Sequence, residues 1–255
     1  EYSQKMVTFI AGKKYGNQNL NNDQKIISND IFAGITKAVE NVNKYNRNIL
    51  FSYTYRFEAT DLLPLLTHPS DRNHLRFYWE QPLIGFSLAG LNTIWTWDDL
   101  DTKPYEKVIA ELKSIFDKSI SVTDSILIGP KLIGGKSFDY GEKHDKTWEG
   151  FPRCRFYLPE CLATMTEDGA WLTISKIMTK GMSIESFYDE LIQLCTHYQN
   201  RMPVTLPSVT QVNVDKFRDI PSREDWDTTI CSVLEEIRPG EVEKVVISRS
   251  HQINV

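Results

Sequence analysis

Apolar residues recur at helical spacing over about 31–46, where Ile31, Ile35, Val39 and Val42 fall on one stripe. Asn29 and Asp30 offer side-chain oxygens to cap its start. Alternation then takes over. Leu50-Phe-Ser-Tyr-Thr-Tyr-Arg-Phe57 is rich in β-formers and predicts a strand. Residues 60–74 hold Pro64 and Pro69 and predict a connection with a short helical turn. Strands are predicted at 75–79, 84–89 and 92–97, punctuated by Pro82 and Gly90, as an antiparallel meander. A helix is predicted over about 104–119, with Val108, Ile109, Leu112, Ile115 and Phe116 on one face. Further strands are predicted at about 125–133, 153–158 and 170–177.

Ser183 is placed to cap a helix reaching about 199, with Ile184, Phe187, Tyr188, Leu191 and Cys195 inward. The last predicted helix opens on Ser222 and Asp225, in the pattern of a capping box with Asp for the preferred Glu or Gln. Its stripe, Trp226, Ile230, Val233, Leu234 and Ile237, is expected to be buried. Pro239-Gly240 ends it, and a strand over Lys244–Arg249 is expected next. Residues 12–26 are polar and read as a surface loop or hairpin. Strand runs broken by single helices indicate an α+β fold, antiparallel-rich, with helices packed outside the sheets.

Composition changes this picture little. The 255 residues are 41% hydrophobic and 25% charged, enough for one large domain or two small ones. A net charge of −5 with interspersed signs argues against nucleic-acid binding, which needs a basic stripe. No apolar run approaches the ~18 residues of a membrane span. Cys154, Cys161, Cys195 and Cys231 form no C-x-x-C pair and read as buried thiols of a reducing compartment.

Several chemistries fail on spacing. Gly129-Pro-Lys-Leu-Ile-Gly-Gly-Lys-Ser137 imitates a phosphate-binding loop, but Pro130 stands where that motif needs glycine. The bland reading is a strand with close backbone packing at Gly134 and Gly135. His68, His74, His144, His197 and His251 show no metal-ligand spacing. Asp98-Asp99 and Glu235-Glu236 read as solvated surface carboxylates. The six tryptophans, among them Trp148, are scattered, which fits core and sheet packing.

Lys244 differs from these. On a strand it shares a face with Val246 and Ser248, while Val245, Ile247 and Arg249 share the other. A lysine in such an apolar strand must reach solvent, a carboxylate or an active-site cavity. His251 extends the same strand and is a weaker candidate for that site.

Lys244-Val-Val-Ile-Ser-Arg249 resembles the Lys-Val-Val-Leu-Ala/Ser-Arg strand of the chorismate-utilising enzymes, above all the menaquinone-type isochorismate synthases. The likeness extends over most of 75–255. It includes Phe77-Tyr-Trp-Glu-Gln-Pro82, Phe86-Ser-Leu-Ala-Gly90, Gly134-Gly-Lys-Ser-Phe138, Trp148-Glu-Gly-Phe-Pro152, Phe156-Tyr-Leu-Pro159 and the Asp225–Ile237 helix. Residues 1–74 resemble no named family. The resemblance implies the fold of anthranilate synthase component I and a Mg2+-dependent conversion of chorismate to isochorismate, with Lys244 as the base that activates water. It also implies a family glutamate that protonates the departing hydroxyl and carboxylates that hold Mg2+. In the family pattern these come after Val255. Residues 1–255 are therefore expected to be the N-terminal portion of one such domain, whose catalytic portion begins near 222 and is mostly absent.

Lysine at this position separates water-using members from the ammonia-using anthranilate and aminodeoxychorismate synthases. Salicylate synthase, which adds pyruvate elimination to the same first step, is the runner-up. A non-catalytic, degenerate chorismate-binding-like protein is the alternative of a different class. The implied partner is chorismate, with no nucleic acid or membrane. The implied protein is a monomer of the cytoplasm or a plastid stroma serving menaquinone or phylloquinone synthesis.

Overall fold

The chain divides into two units, Glu1–Leu206 and Pro207–Val255. The computed structural model describes residues 23–67, 75–99, 105–123, 128–137, 151–201, 216–240 and 242–254.

In the first unit, helix α1 (Asp23–Tyr45) starts inside the expected 12–26 loop; residues 12–22 lie outside the described ones. Ile31, Ile35, Ala38 and Val42 are buried along α1, so the helical spacing is what turns this helix toward the core. Gly34 sits mid-helix, where glycine costs about 1 kcal/mol against alanine. A Cβ there would lie 2.8 Å from Val122 Cγ2, so its absence admits close approach of helix and sheet. Strand β1 (Ile49–Phe57) follows, then a short helix α2 (Leu63–Leu66).

Strands β2 (Arg76–Gln81) and β3 (Phe86–Leu91) form a hairpin over a 3-10 turn at Pro82–Ile84. The expected meander stops there. Asn92 adopts φ 54°, and Ile94 N–H donates to Leu158 O at 3.0 Å. Thr93 Oγ1 also donates to that carbonyl, at 3.1 Å. These bonds carry β4 (Trp95–Asp99) into a different sheet.

Helix α3 (Tyr105–Phe116) leads to β5 (Ile120–Val122), then β6 (Ile133–Lys136), β7 (Cys154–Leu158), β8 (Cys161–Thr166), β9 (Gly169–Met178) and helix α4 (Ile184–Gln199). Of the predicted strand at 125–133, residues 128–132 form no ladder and Ile133 opens β6. Neither β5 nor β8 is among the strands that the sequence pattern predicts.

A six-stranded sheet runs β2-β3-β8-β9-β1-β5, antiparallel except for β1 with β5. Ile49 through Phe57 pair in turn with Met178 through Ala170, the longest ladder. Phe51, Leu172, Ile174, Cys161 and Ala163 join α1 and α4 in the main core. Phe187, Leu191, Cys195 and Tyr198 are the buried residues of α4. Each fully buried Leu or Phe contributes roughly 1.5–3 kcal/mol. The opposite face meets the three-stranded sheet β4-β7-β6: Leu88 and Leu162 pack with Ile133 and Tyr157. The α+β, antiparallel-rich reading holds.

Close packing at Gly134 is borne out, because a Cβ would fall 2.0 Å from Arg155 O. At Gly135 nothing lies within 4 Å, so there the expectation fails. Asp98 is paired rather than merely solvated, since Arg155 donates to both its oxygens at 2.7 and 2.9 Å.

In the second unit, β10 (Lys216–Ile220) and β11 (Ser250–Asn254) form an antiparallel ribbon, with helix α5 (Arg223–Ile237) between them in sequence. No residue of α5 is buried, and Leu234 is 50% exposed. The expected buried stripe is thus corrected. So is Cys231, an exposed free thiol, whereas Cys154, Cys161 and Cys195 are buried as expected.

Candidate functional site

The segment that carries Lys244 begins at a well-defined helix. Ser222 Oγ accepts from Asp225 N–H at 3.2 Å and donates to Asp225 Oδ2 at 2.8 Å. The serine therefore caps α5, and the aspartate answers its hydroxyl. Gly240 takes φ 83°, and its N–H donates to Ile237 O at 2.9 Å, which stops the helix where Pro239-Gly240 predicted.

Beyond it, residues 242–249 form no ladder, and the strand starts at Ser250. The expected strand over Lys244–Arg249 is corrected accordingly. Val245-Val246-Ile247 has β-propensity, but a strand is defined by a hydrogen-bonded neighbour, which propensity alone does not supply. Lys244 is exposed, and Val246 is 81% exposed. A lysine that removes a proton from water must be neutral, and burial or nearby cationic charge favours that form. Residues 242–254 do not give Lys244 the burial.

The polar chemistry of this unit gathers around Asp219, which no sequence motif marks. Asp219 lies opposite His251 in the β10–β11 register. Its Oδ1 is 2.5 Å from His251 Nδ1, and Arg249 Nη2 donates to Oδ2. The His251 contact first, then the Arg249 charge, holds the Asp219 carboxyl below the usual carboxylate range. Arg249 also lies over the Trp226 ring, 6.0 Å from its centroid. The position of Asp219 just before Ile220-Pro221 gave no signal, because the pairing is made across the ribbon. His251 thus belongs to an ionic cluster of the ribbon.

The first unit holds two further groups. Tyr198 OH donates to Glu160 Oε1 at 2.6 Å and accepts from Asn92 Nδ2 at 2.7 Å. Burial, then Glu160, keeps the phenol protonated far above its ordinary value, so it acts as a fixed donor tying α4 to the residue just before β8. Lys131 is a buried lysine, only 8% exposed, and burial pushes its amine down to about 8. In the sequence Lys131 stands only within the failed phosphate-loop pattern. Among the described residues no three His, Cys, Asp or Glu side chains gather as a metal site. No described helix is long and apolar enough to cross a membrane.

A profile of the chorismate-binding enzymes matches residues 37–255, and the chain belongs to that family. It is 22% identical over 223 residues to the isochorismate synthase MenF of Bacillus subtilis (strain 168). That alignment covers 84% of this chain and 46% of the relative. A superposition on MenF, the menaquinone-specific isochorismate synthase from Escherichia coli, gives a TM-score of 0.44 at 17% identity. It covers 86% of this chain and 46% of that one. The chain thus spans about half the length of the relatives it matches.

Proposed function

We propose that this chain is part of an enzyme that converts chorismate to isochorismate, with Lys244 as the base that activates water. The supporting observation is that the family match runs through 255 and so includes Lys244-Val-Val-Ile-Ser-Arg249. In this reading the neutral Nζ of Lys244 takes a proton from water as its oxygen adds to one ring carbon. The hydroxyl on another carbon leaves as water, so substrate and product are isomers. The acid that protonates the departing hydroxyl, and the carboxylates for Mg2+, would be residues other than those described. The domain would run over 1–255 as an N-terminal portion, with catalytic residues from about 222 onward. The product would serve quinone synthesis in a reducing compartment, cytoplasm or plastid stroma.

With that acid and those carboxylates supplied by other residues, the 255-residue chain by itself is expected not to turn over chorismate. The test is a protein that contains this chain and consumes chorismate with Mg2+. Lys244→Ala should lower kcat by about 10²–10⁴-fold with the melting temperature unchanged. Lys244→Arg should not restore it, because guanidinium stays protonated. Near-wild-type turnover in either variant rejects Lys244 as the base. Chromatography of the product separates isochorismate from salicylate, and salicylate would move the assignment to salicylate synthase.

A further inference from the structure

Among the described residues the six-stranded sheet ends on β2, and its outer edge carries a self-complementary pattern. Asn92 N–H donates to Leu75 O at 3.0 Å. With the register Arg76↔Leu91 to Gln81↔Phe86, this makes Leu75, Phe77, Trp79 and Gln81 the residues that exchange backbone bonds with β3. The N–H and C=O groups of Arg76, Tyr78 and Glu80 therefore point outward.

We propose that this edge pairs with the same edge of a second copy, antiparallel about a two-fold axis at Tyr78. In that register Arg76 faces Glu80 of the other copy, Glu80 faces its Arg76, and Tyr78 faces Tyr78. These are the residues whose backbone groups point outward, so every facing pair can exchange hydrogen bonds. Phe77 and Trp79 then face one another as an aromatic pair on the sheet's other side. Centring the axis one residue either way sets Arg76 or Glu80 against Tyr78 and loses the charge match.

Charged residues on an edge usually discourage pairing. That protection relies on like charges meeting, and here the two-fold brings opposite charges together. Both groups are exposed and only lightly engaged within the chain. Arg76 Nη1 donates to Leu66 O at 3.1 Å, and Tyr78 OH donates to Glu80 Oε2 at 2.5 Å. The hairpin tip adds apolar surface beside this edge, with Leu83 96% and Ile84 54% exposed. An isologous interface of this kind closes on itself and stops at the dimer. A dimer through this edge differs from the monomer that the resemblance implies.

The test is sedimentation equilibrium of the full 255-residue chain over a wide concentration range. The expected result is a reversible monomer–dimer equilibrium. Arg76→Glu and Glu80→Arg should each weaken it about tenfold or more, since each turns both facing pairs from attraction to repulsion. The combined swap, Arg76→Glu with Glu80→Arg, should restore it, which a misfolded variant cannot do. Tyr78→Cys in a Cys231→Ser background should form a 78–78 disulfide on oxidation, because facing residues at such a site stand about 5.5 Å apart. A chain that stays monomeric throughout, as it would if another polypeptide takes this edge, overturns the proposal. So does an association indifferent to the single charge reversals or not rescued by the swap.

Discussion

Helices α4 and α5 have similar sequence patterns and different fates. Each opens on a serine whose hydroxyl accepts from the N–H three residues on, Ser183 for Ser186 at 3.0 Å and Ser222 for Asp225 at 3.2 Å. Each carries apolar residues at helical spacing. Yet α4 buries Phe187, Leu191, Cys195 and Tyr198, whereas α5 buries none. The pattern encodes that a helix forms and which way its stripe points. What covers the stripe is set by other segments. In α4 these are β1 and β9, held by contacts such as Tyr55 OH donating to Cys195 O at 3.1 Å.

The largest expected effect tests that difference directly. Leu191→Ala should cost about 2–5 kcal/mol in urea unfolding, as lost burial plus an unfilled cavity. Leu234→Ala in α5 should stay within about 0.5 kcal/mol, as for an exposed position. Equal losses would mean that α5 is as well covered as α4 and would erase the contrast.

That contrast also explains what the sequence revealed. Local signals were read well: the Ser183 cap, the bounds of α4, the β1 strand and the stop at Gly240 all follow from neighbouring residues. Pairing was read poorly. β8 was not foreseen because its short stretch, Cys161-Leu-Ala-Thr-Met-Thr166, has little alternation and gains its strand from β3 and β9 on either side. The pattern puts β4 in a meander because nothing in Asn92-Thr-Ile announces bonds to Leu158. The Lys244 strand is expected from the helix stop at Pro239-Gly240 and from the resemblance, and the described residues give it no ladder. At the candidate site the lysine was legible through its resemblance, while Asp219, Glu160 and Asn92 were not, since each takes its role from a partner distant in sequence.

A smaller effect sharpens the comparison at the caps. Removing a serine cap costs a helix about 1 kcal/mol in either case. Ser183→Ala should lower the main unfolding transition by that amount, because α4 is part of the core. Ser222→Ala should leave that transition in place and speed amide exchange over 223–237, since local opening is read where burial is slight. A common shift of the main transition by both variants would show that the two helices melt as one unit.

The smallest expected effect is electrostatic. Lys176 on β9 donates to Glu190 on α4, joining sheet and helix where the core beneath is already closed. The Lys176 hydrogen bond first, then its charge, holds the Glu190 carboxyl below the ordinary carboxylate range. A carboxyl lowered in the folded state adds stability above its unfolded value, about 4.3. That stability is lost as pH falls through the lower folded value. Glu190 is 46% exposed on its side chain, so screening keeps the gain below about 1 kcal/mol. Glu190→Gln should therefore trail the wild type slightly in urea midpoint at neutral pH, and the gap should close in acid. Asp219 is lowered in the same direction by His251 and Arg249, but on the ribbon of the second unit. Asp219→Asn should leave the main midpoint unmoved at either pH and change only the exchange rates of 216–220 and 250–254. A pH-dependent shift of the main midpoint in Asp219→Asn as large as that in Glu190→Gln would show that the ribbon and the core share one cooperative transition.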